Sequence, residues 1–390
     1  MRPVRVLQAH SRHATRGGAD AVLDSDAELL RAAGHEVVQH LAEPAGRVAA
    51  TREAVDAVWN RRAVAALDRT LSEHRTDVLH VHTPFPLLSP AVFRVARRHG
   101  VPTVTTVHGF RYSCVAGTLQ RDGTPCEACV GRRVKVAGVL HRCYHGSAPA
   151  SLALTTSLAV HRGTLRHCVD RYLPLTEFAK HVLVRDGVPA ERVTVRPNCV
   201  ADPGPVLPAS ARSTAALFVG RLVEEKGVRT LLTAWRTVRD VPLHVLGDGP
   251  LRPLVEAEAA VNPLIVVRGW CDEATVRAEQ ARAAMTVVPS EWYEAGPPLV
   301  LLQALAAGTP VVCSDLENIC ATAAAAGAAS TFRTGDPVAL ADAVRRLHED
   351  PDLRAGRSRA ARELYLRDHT ARASLRSLEQ VYRELTKEGT

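Results

Sequence analysis

The chain has 390 residues, 46% of them hydrophobic and 23% charged, with a formal net charge of +8. That length is enough for two domains with complete cores, and no apolar run of about 18 residues predicts a membrane-spanning helix. The N-terminal residues lack the apolar core of a signal peptide, and nine cysteines, an odd number, argue against a disulfide framework, so we expect a cytoplasmic globular protein.

Short β-branched runs alternate with helical patterns along the whole chain. The strands predicted in the first half are Val4–Leu7, Glu36–His40, Asp77–Val81, Thr103–Val107, Arg171–Leu175 and Val193–Arg196. Those predicted in the second half are Ala215–Val219, Leu243–Leu246, Leu264–Val267, Met285–Val288, Val311–Cys313 and Ser330–Phe332. Strand–helix alternation predicts parallel sheets covered on both faces, and twelve strands fit two doubly wound α/β domains better than one sheet.

The domain boundary is predicted from a change in composition. Residues 198–213 are proline-rich and show no periodicity, as in a linker. Residues 371–385 place leucines, a valine and a tyrosine on one helical face. We therefore expect one domain over residues 1–204, a second over 205–370, and a C-terminal helix within 371–390 that returns to the first domain.

The loop Gly220–Gly227, GRLVEEKG, follows an apolar strand and precedes a helix. Arg221 offers a planar fork for a phosphate, and Lys226 is one of only four lysines in the chain. The sequence LGDGP places Gly247 and Gly249 at the end of the next strand, where a backbone can approach a ligand closely. A solvated loop and an ordinary tight turn are the alternatives for these two segments.

A third segment, residues 288–312, runs from an apolar strand through Glu291 and Glu294 into a predicted helix, Leu299–Ala307. Two prolines precede this helix, so the backbone amides of Leu299 and Val300 are the donors expected to face an anion at its N-terminus. A solvated loop is again the alternative. Three loops of this type in one domain weaken it.

Taken together, GRLVEEKG, LGDGP and LQALAAGTPVV resemble the nucleotide-sugar domain of family 4 retaining GT-B glycosyltransferases. In the first half, the Gly17-Gly18 loop, DVLHVHTPFP, TVHGF and LTEFAKHVLVRDGVPAERVTVRPN agree with the same family. The resemblance implies two Rossmann-like domains with an active-site cleft between them. It also implies a nucleotide-diphosphate sugar as donor, a hydroxyl acceptor, and no metal or cofactor for catalysis.

Matched by position, the resemblance assigns roles to individual residues. Arg221 and Lys226 would hold the donor diphosphate, Glu294 would bind hydroxyls of the donor sugar, and His108 would lie beside the reacting sugar. The remaining residues expected to bind the donor are Gly17, Gly18, Gly220, Gly247, Gly249, Leu299, Val300 and Gln303. For His108, a structural role at a strand end is the alternative.

Gln303 departs from the family pattern. The family has a glutamate at the matching position, which binds the ribose hydroxyls, and seven residues separate its two glutamates. Here eight residues separate Glu294 from Gln303. A neutral amide loses the charge-assisted hydrogen bonds of a carboxylate, so the donor affinity is the property affected.

Four cysteines, Cys114, Cys126, Cys129 and Cys143, form the spacing C-x11-C-x2-C-x13-C in an insert after TVHGF. A CxxC pair with two further cysteines at this range predicts a structural zinc site. Free thiols and a single disulfide are the alternatives.

The basic charge has three interpretations. Nucleic-acid binding is rejected because the 16 aromatic residues do not interleave with basic stripes and no known module is present. Contact with an anionic inner-membrane surface or with an acidic acceptor would use the basic residues Arg94, Arg97, Arg98, Arg132, Arg133 and Lys135. Solvated arginines are the alternative, and the acidic triplet Asp24–Asp26 is interpreted as helix surface.

The sequence thus predicts a metal-independent retaining glycosyltransferase. A nucleotide-sugar 2-epimerase of the same architecture is one alternative. A non-catalytic partner of another glycosyltransferase is the second, suggested by Gln303 and by the altered spacing from Glu294. The base, the sugar, the acceptor and the oligomeric state are left open.

Overall fold

The structure is a computed structural model that describes residues 2–12, 17–43, 56–294 and 296–387. The chain divides into two units, each with its own parallel sheet. Unit 1 comprises residues 1–121, 126–197 and 374–390, and unit 2 comprises residues 122–125 and 198–373. The prediction of two doubly wound α/β domains is confirmed.

Unit 1 is built on a five-stranded parallel sheet with the strand order β2-β1-β3-β4-β7. Its strands are β1 (Arg5–Ser11), β2 (Glu36–Ala42), β3 (Val78–Thr83), β4 (Thr103–Val107) and β7 (Arg171–Pro174). Outside both large sheets, β5 (Gln120–Arg121) and β6 (Thr124–Pro125) form a short two-stranded hairpin. The helices of unit 1 are α1 (Gly18–Ala32), α2 (Arg61–Glu73), α3 (Val92–Arg98), α4 (Val136–Leu140), α5 (Ala148–Val160), α6 (Arg162–His167) and α7 (Glu177–Arg185).

Strands β1, β3, β4 and β7 are buried on both faces, as expected for a parallel sheet covered by helices, whereas the edge strand β2 is only partly buried. Successive residues of β1 alternate between two cores, Leu7 in one and Val6 in the other. The second core also contains Leu378, Val381 and Tyr382 of the C-terminal helix α15 (Ala371–Lys387). The apolar stripe of that helix therefore packs within unit 1.

Unit 2 is built on a six-stranded parallel sheet with the order β10-β9-β8-β11-β12-β13. Its strands are β8 (Ala216–Val219), β9 (Leu243–Leu246), β10 (Ile265–Gly269), β11 (Met285–Val288), β12 (Val311–Ser314) and β13 (Ala329–Phe332). Its helices are α8 (Val228–Trp235), α9 (Arg252–Val261), α10 (Glu273–Arg282), α11 (Leu299–Ala306), α12 (Glu317–Ala325), α13 (Pro337–Glu349) and α14 (Pro351–Leu364).

Two interpretations of the sequence are wrong in detail. Residues Val193–Arg196 form no strand: Val193 makes one isolated bridge to Tyr172, and the segment continues as irregular chain. Asp26 is not on the helix surface, because its side chain is buried and makes a bidentate ion pair with Arg196 at 2.5 and 2.9 Å.

Candidate active site

The predicted ligand loops of unit 2 lie at one edge of its sheet. Strand β8 is the first strand in the chain order of this sheet, and it lies between β9 and β11. The crossovers therefore diverge on either side of β8, and ligands of open α/β sheets bind at such a switch point, beyond the carboxyl ends of the strands. The loops that leave β8 and β11 border this point.

Glycines allow these loops to pack backbone against backbone. A Cβ on Gly247 would lie 1.9 Å from the Gly220 carbonyl oxygen, and one on Gly249 would lie 2.6 Å from the Leu222 carbonyl oxygen. The Gly220 amide donates to Leu246 O, and the Gly247 amide donates to Gly269 O. These glycines thus shape the edge, while their amides are used within the sheet and its loops.

The central contact at this edge joins Lys226 to Glu294. Lys226 lies in a 3-10 turn that ends at Gly227, and its Nζ donates to Glu294 Oε1 at 2.5 Å. Ser290 Oγ donates to the same oxygen at 3.1 Å, and the ammonium lies 5.9 Å from the centre of the Trp292 ring. The ammonium keeps further N–H donors for an anion.

Arg221 has a different environment from Lys226. Its side chain is exposed at the start of the same loop, and none of the carboxylates in the described ranges pairs with it. An exposed guanidinium without an acidic partner can take a phosphate in a bidentate manner.

Helix α11 begins at the same edge. Its N-cap is Pro298, and the amides of Leu301 and Leu302 both donate to Pro298 O. Leu299 and Val300 therefore lie in the first turn, where α-helical amides lack intrahelical acceptors. Gln303 lies one turn further on, on the face shared with Leu299, and is half-buried.

In unit 1, Gly17 and Gly18 lie where α1 begins. Gly17 is the N-cap residue, and its amide donates to Asp20 Oδ2 at 2.9 Å. The other oxygen of Asp20 lies 3.2 Å from His10 Nε2. Burial raises the pKa of Asp20, but the Gly17 amide and His10 outweigh it and hold the pKa below its ordinary value, so Asp20 is ionised.

His108 follows β4 and belongs to a cluster of histidines. Its Nε2 lies 3.1 Å from His82 Nδ1, and the two rings stack at 5.3 Å. Burial lowers the pKa of His108 to about 3 and that of His80 and His82 well below the ordinary value. These imidazoles are neutral at pH 7, so His108 can exchange hydrogen bonds with a ligand but brings no charge. The sequence predicted a role for His108 only. The alternation of side chains along His80–Thr83 does not reveal that the ring of His82 stacks on the ring of His108.

The four cysteines of the insert are free thiols. Burial raises the pKa of Cys129 and Cys143, and the neighbouring thiols act in the same direction. Within the described ranges, no group of three or more His, Cys, Asp or Glu side chains is arranged to hold a metal ion. This arrangement does not fit the tetrahedral site of the zinc hypothesis, which stays a prediction: about one zinc per purified chain would support it, and well below one would remove it.

Lys135 is not part of the basic surface that was expected to contact an anionic membrane. It is buried, donating to Asp186 Oδ1 at 2.6 Å and to the Cys129 carbonyl at 2.9 Å. Arg94 is also engaged, donating to Thr164 Oγ1 at 2.6 Å. Of the helices in the described part of the chain, none has the length and apolarity needed to cross a membrane.

Comparison with known families matches both halves of the chain. Residues 17–199 match the model of the glycosyl transferase 4-like domain, and residues 213–350 match the model of glycosyl transferases group 1. The chain is 27% identical over 340 residues to the 2-deoxystreptamine glucosyltransferase of Streptomyces kanamyceticus, covering 83% of this chain and 82% of that one.

Solved structures agree on the fold. A glycosyltransferase of Rickettsia africae superposes with a TM-score of 0.72 at 14% identity, covering 99% of this chain and 100% of its own. HepE of Anabaena, solved in complex with UDP, superposes with a TM-score of 0.67 at 14% identity, covering 97% and 99%. The chain thus belongs to family 4 of the glycosyltransferases, the group 1 and 4-like enzymes, and is a glycosyltransferase with the GT-B fold.

Proposed function

We propose that this glycosyltransferase moves a sugar from a nucleotide-diphosphate sugar to an acceptor hydroxyl with retention of configuration, and that it needs no catalytic metal. The observation that carries the proposal is the cationic edge of unit 2. There, Arg221 is exposed and pairs with no carboxylate of the described residues, and Lys226 is held beside Glu294. The structures of HepE with UDP support a nucleotide as ligand of this fold.

The residues would act by electrostatic preorganisation. Arg221 and Lys226 would bind the diphosphate oxygens and stabilise the charge that grows on the leaving group as the glycosidic bond breaks. The first-turn amides of Leu299 and Val300 would add the positive end of the α11 dipole. Two cations at this position would take the role that a divalent ion plays elsewhere.

Glu294 would bind hydroxyls of the donor sugar, with its carboxylate already oriented by Lys226 and Ser290. His108, neutral through burial, would exchange a hydrogen bond with the reacting sugar. The acceptor proton would pass to the departing phosphate oxygen, on the same face as attack, which gives retention without a protein nucleophile.

The first experiment is a thermal-shift screen against UDP, GDP, dTDP and ADP and their sugar conjugates, because a bound ligand raises the apparent stability. With the best donor, NMR of the product should show the anomeric configuration of the donor, and EDTA should leave turnover unchanged. An inverted anomer would overturn the retaining mechanism, and loss of activity in EDTA would overturn metal independence.

Two further outcomes address the alternatives. Nucleotide release that proceeds without any acceptor, yielding a sugar altered at C2, would indicate an epimerase. Failure to bind any of these nucleotides, together with activation of a second glycosyltransferase, would indicate a non-catalytic partner.

A further inference from the structure

A cavity of about 210 Å³ opens beside His108 within unit 1. Its walls combine the rings of Phe85, Tyr112 and Tyr144 with polar groups of His82 and Thr83. The described residues that line it include no carboxylate. Because the lining histidines, His82 and His108, are neutral, the Arg111 guanidinium is the one charged group among the described residues that line the cavity.

Arg111 is held in a fixed position. Its Nη1 donates to the Val115 carbonyl at 2.7 Å, and its Cζ lies 4.9 Å from the centre of the Tyr144 ring. A Cβ on Gly117 would come within 2.9 Å of the same Cζ, and Gly117 has a φ of +80°. The chain thus fits closely around the guanidinium, and one of its nitrogens is used by the protein.

Within the described part of the chain, no carboxylate balances the charge of Arg111. Among residues 2–12, 17–43, 56–294 and 296–387, no carboxylate lies within ion-pair distance of it. Burial lowers its pKa, which is the mark of a guanidinium removed from water. A half-buried cation without a counter-ion is costly, and an anion bound in the cavity would offset that cost.

We infer that this cavity takes the acceptor, and that the acceptor carries an anionic oxygen group, a phosphate or a carboxylate, which binds Arg111. The inference rests on the proposed function, because it is His108 that ties the cavity to the reaction. The Nε–H and the second amino group of Arg111 would form the bidentate contact that either anion accepts. The aromatic walls would pack against the carbon skeleton of the acceptor.

The test measures thermal unfolding at constant ionic strength, with a saturating concentration of the nucleoside diphosphate that binds best. Under these conditions the phosphate site of unit 2 is already filled. Inorganic phosphate and acetate are then titrated, followed by glucose, glucose 6-phosphate and glucuronate. We expect stabilisation by anions and none by glucose, and comparison of phosphate with acetate identifies the preferred group.

The variants are Arg111→Gln, Arg111→Lys and the control Arg142→Gln, an exposed arginine of the same insert. We expect the apparent Kd for the preferred anion to rise at least tenfold in R111Q, less in R111K, and not at all in R142Q. Equal anion affinity in R111Q and the parent protein, or no anion effect in the parent, would overturn the inference. Nucleoside diphosphate binding, measured first in each variant, reports separately on folding and on the proposed function.

Discussion

Lys226 Nζ lies 2.5 Å from Oε1 of Glu294, a residue 68 positions later in the chain. The pair joins the loop after β8 to the loop after β11, the two strands that flank the switch point of the sheet. An ammonium that is already paired keeps its position before a ligand arrives. Its remaining N–H groups then meet a diphosphate without a large loss of side-chain entropy.

We expect Lys226→Ala and Arg221→Ala each to lower kcat by about 100-fold or more, because each removes a cation that stabilises the leaving group. Steady-state kinetics with the donor found in the nucleotide screen would measure this. Arg229→Ala is the matched control: Arg229 is exposed close to the same loop and pairs with Glu224 rather than with the site. Near-normal turnover in K226A or R221A would remove those residues from the diphosphate site.

Gln303→Glu should strengthen donor binding. The substitution introduces the carboxylate that the family carries at this position, and a charge-assisted hydrogen bond is about twice as strong as a neutral one. We expect the donor KM to fall by about three- to tenfold, corresponding to about 0.7–1.4 kcal/mol, with little change in kcat. An unchanged donor KM would mean that Gln303 does not contact the ribose.

The sequence was sufficient for the architecture and for the loops of unit 2. Strand periodicity located Thr103–Val107, Leu243–Leu246 and Met285–Val288 with the bounds that the structure has. Long-range partners were not predictable, because pairing depends on register and on side-chain direction rather than on local pattern. The contact of Lys226 with Glu294 and the cavity around Arg111 both belong to this class.

Asp26→Asn should destabilise the protein by about 3–5 kcal/mol, because it leaves the buried Arg196 guanidinium without its carboxylate. Urea denaturation followed by circular dichroism would measure the loss. Glu28→Gln, an exposed change on the same helix, is the control and should be nearly neutral. The double variant Asp26→Asn/Arg196→Met should recover part of the loss, and strict additivity of the two changes would argue against a direct pair.

The histidine cluster predicts that stability falls in mild acid. His108 has a pKa of about 3 in the folded protein, so between pH 6.5 and 3 the unfolded chain binds protons that the folded chain does not. The free energy of unfolding should therefore decrease as the pH is lowered through this range, by about 1.4 kcal/mol per pH unit for each such imidazole. Asp20, with a lowered pKa, acts in the same direction at still lower pH.

Urea denaturation of the parent protein and of His108→Asn at several pH values between 7 and 5 tests this dependence. The variant should show a shallower slope, whereas His181→Asn, which changes an exposed histidine of α7, should keep the parental one. Identical slopes for the parent and H108N would show that His108 does not stay neutral in the folded state.

Gly227→Ala should destabilise unit 2 by more than about 2 kcal/mol. Gly227 adopts a left-handed conformation with a φ of +68°, which costs a residue with a Cβ about 1 kcal/mol, and that Cβ would lie 1.9 Å from the Pro289 carbonyl oxygen. The clash is with backbone, so it can be relieved only by separating the β8 loop from the β11 loop. That movement would also pull Lys226 away from Glu294, so donor binding should weaken together with stability.

Gly356→Ala is the control: it lies within α14 with nothing within 4 Å of its Cβ position, and it should raise stability by about 0.5–1 kcal/mol. Denaturation midpoints and nucleotide-induced thermal shifts, measured on both variants, separate the two effects, and a G227A protein with parental stability would show that the two loops do not meet at this glycine.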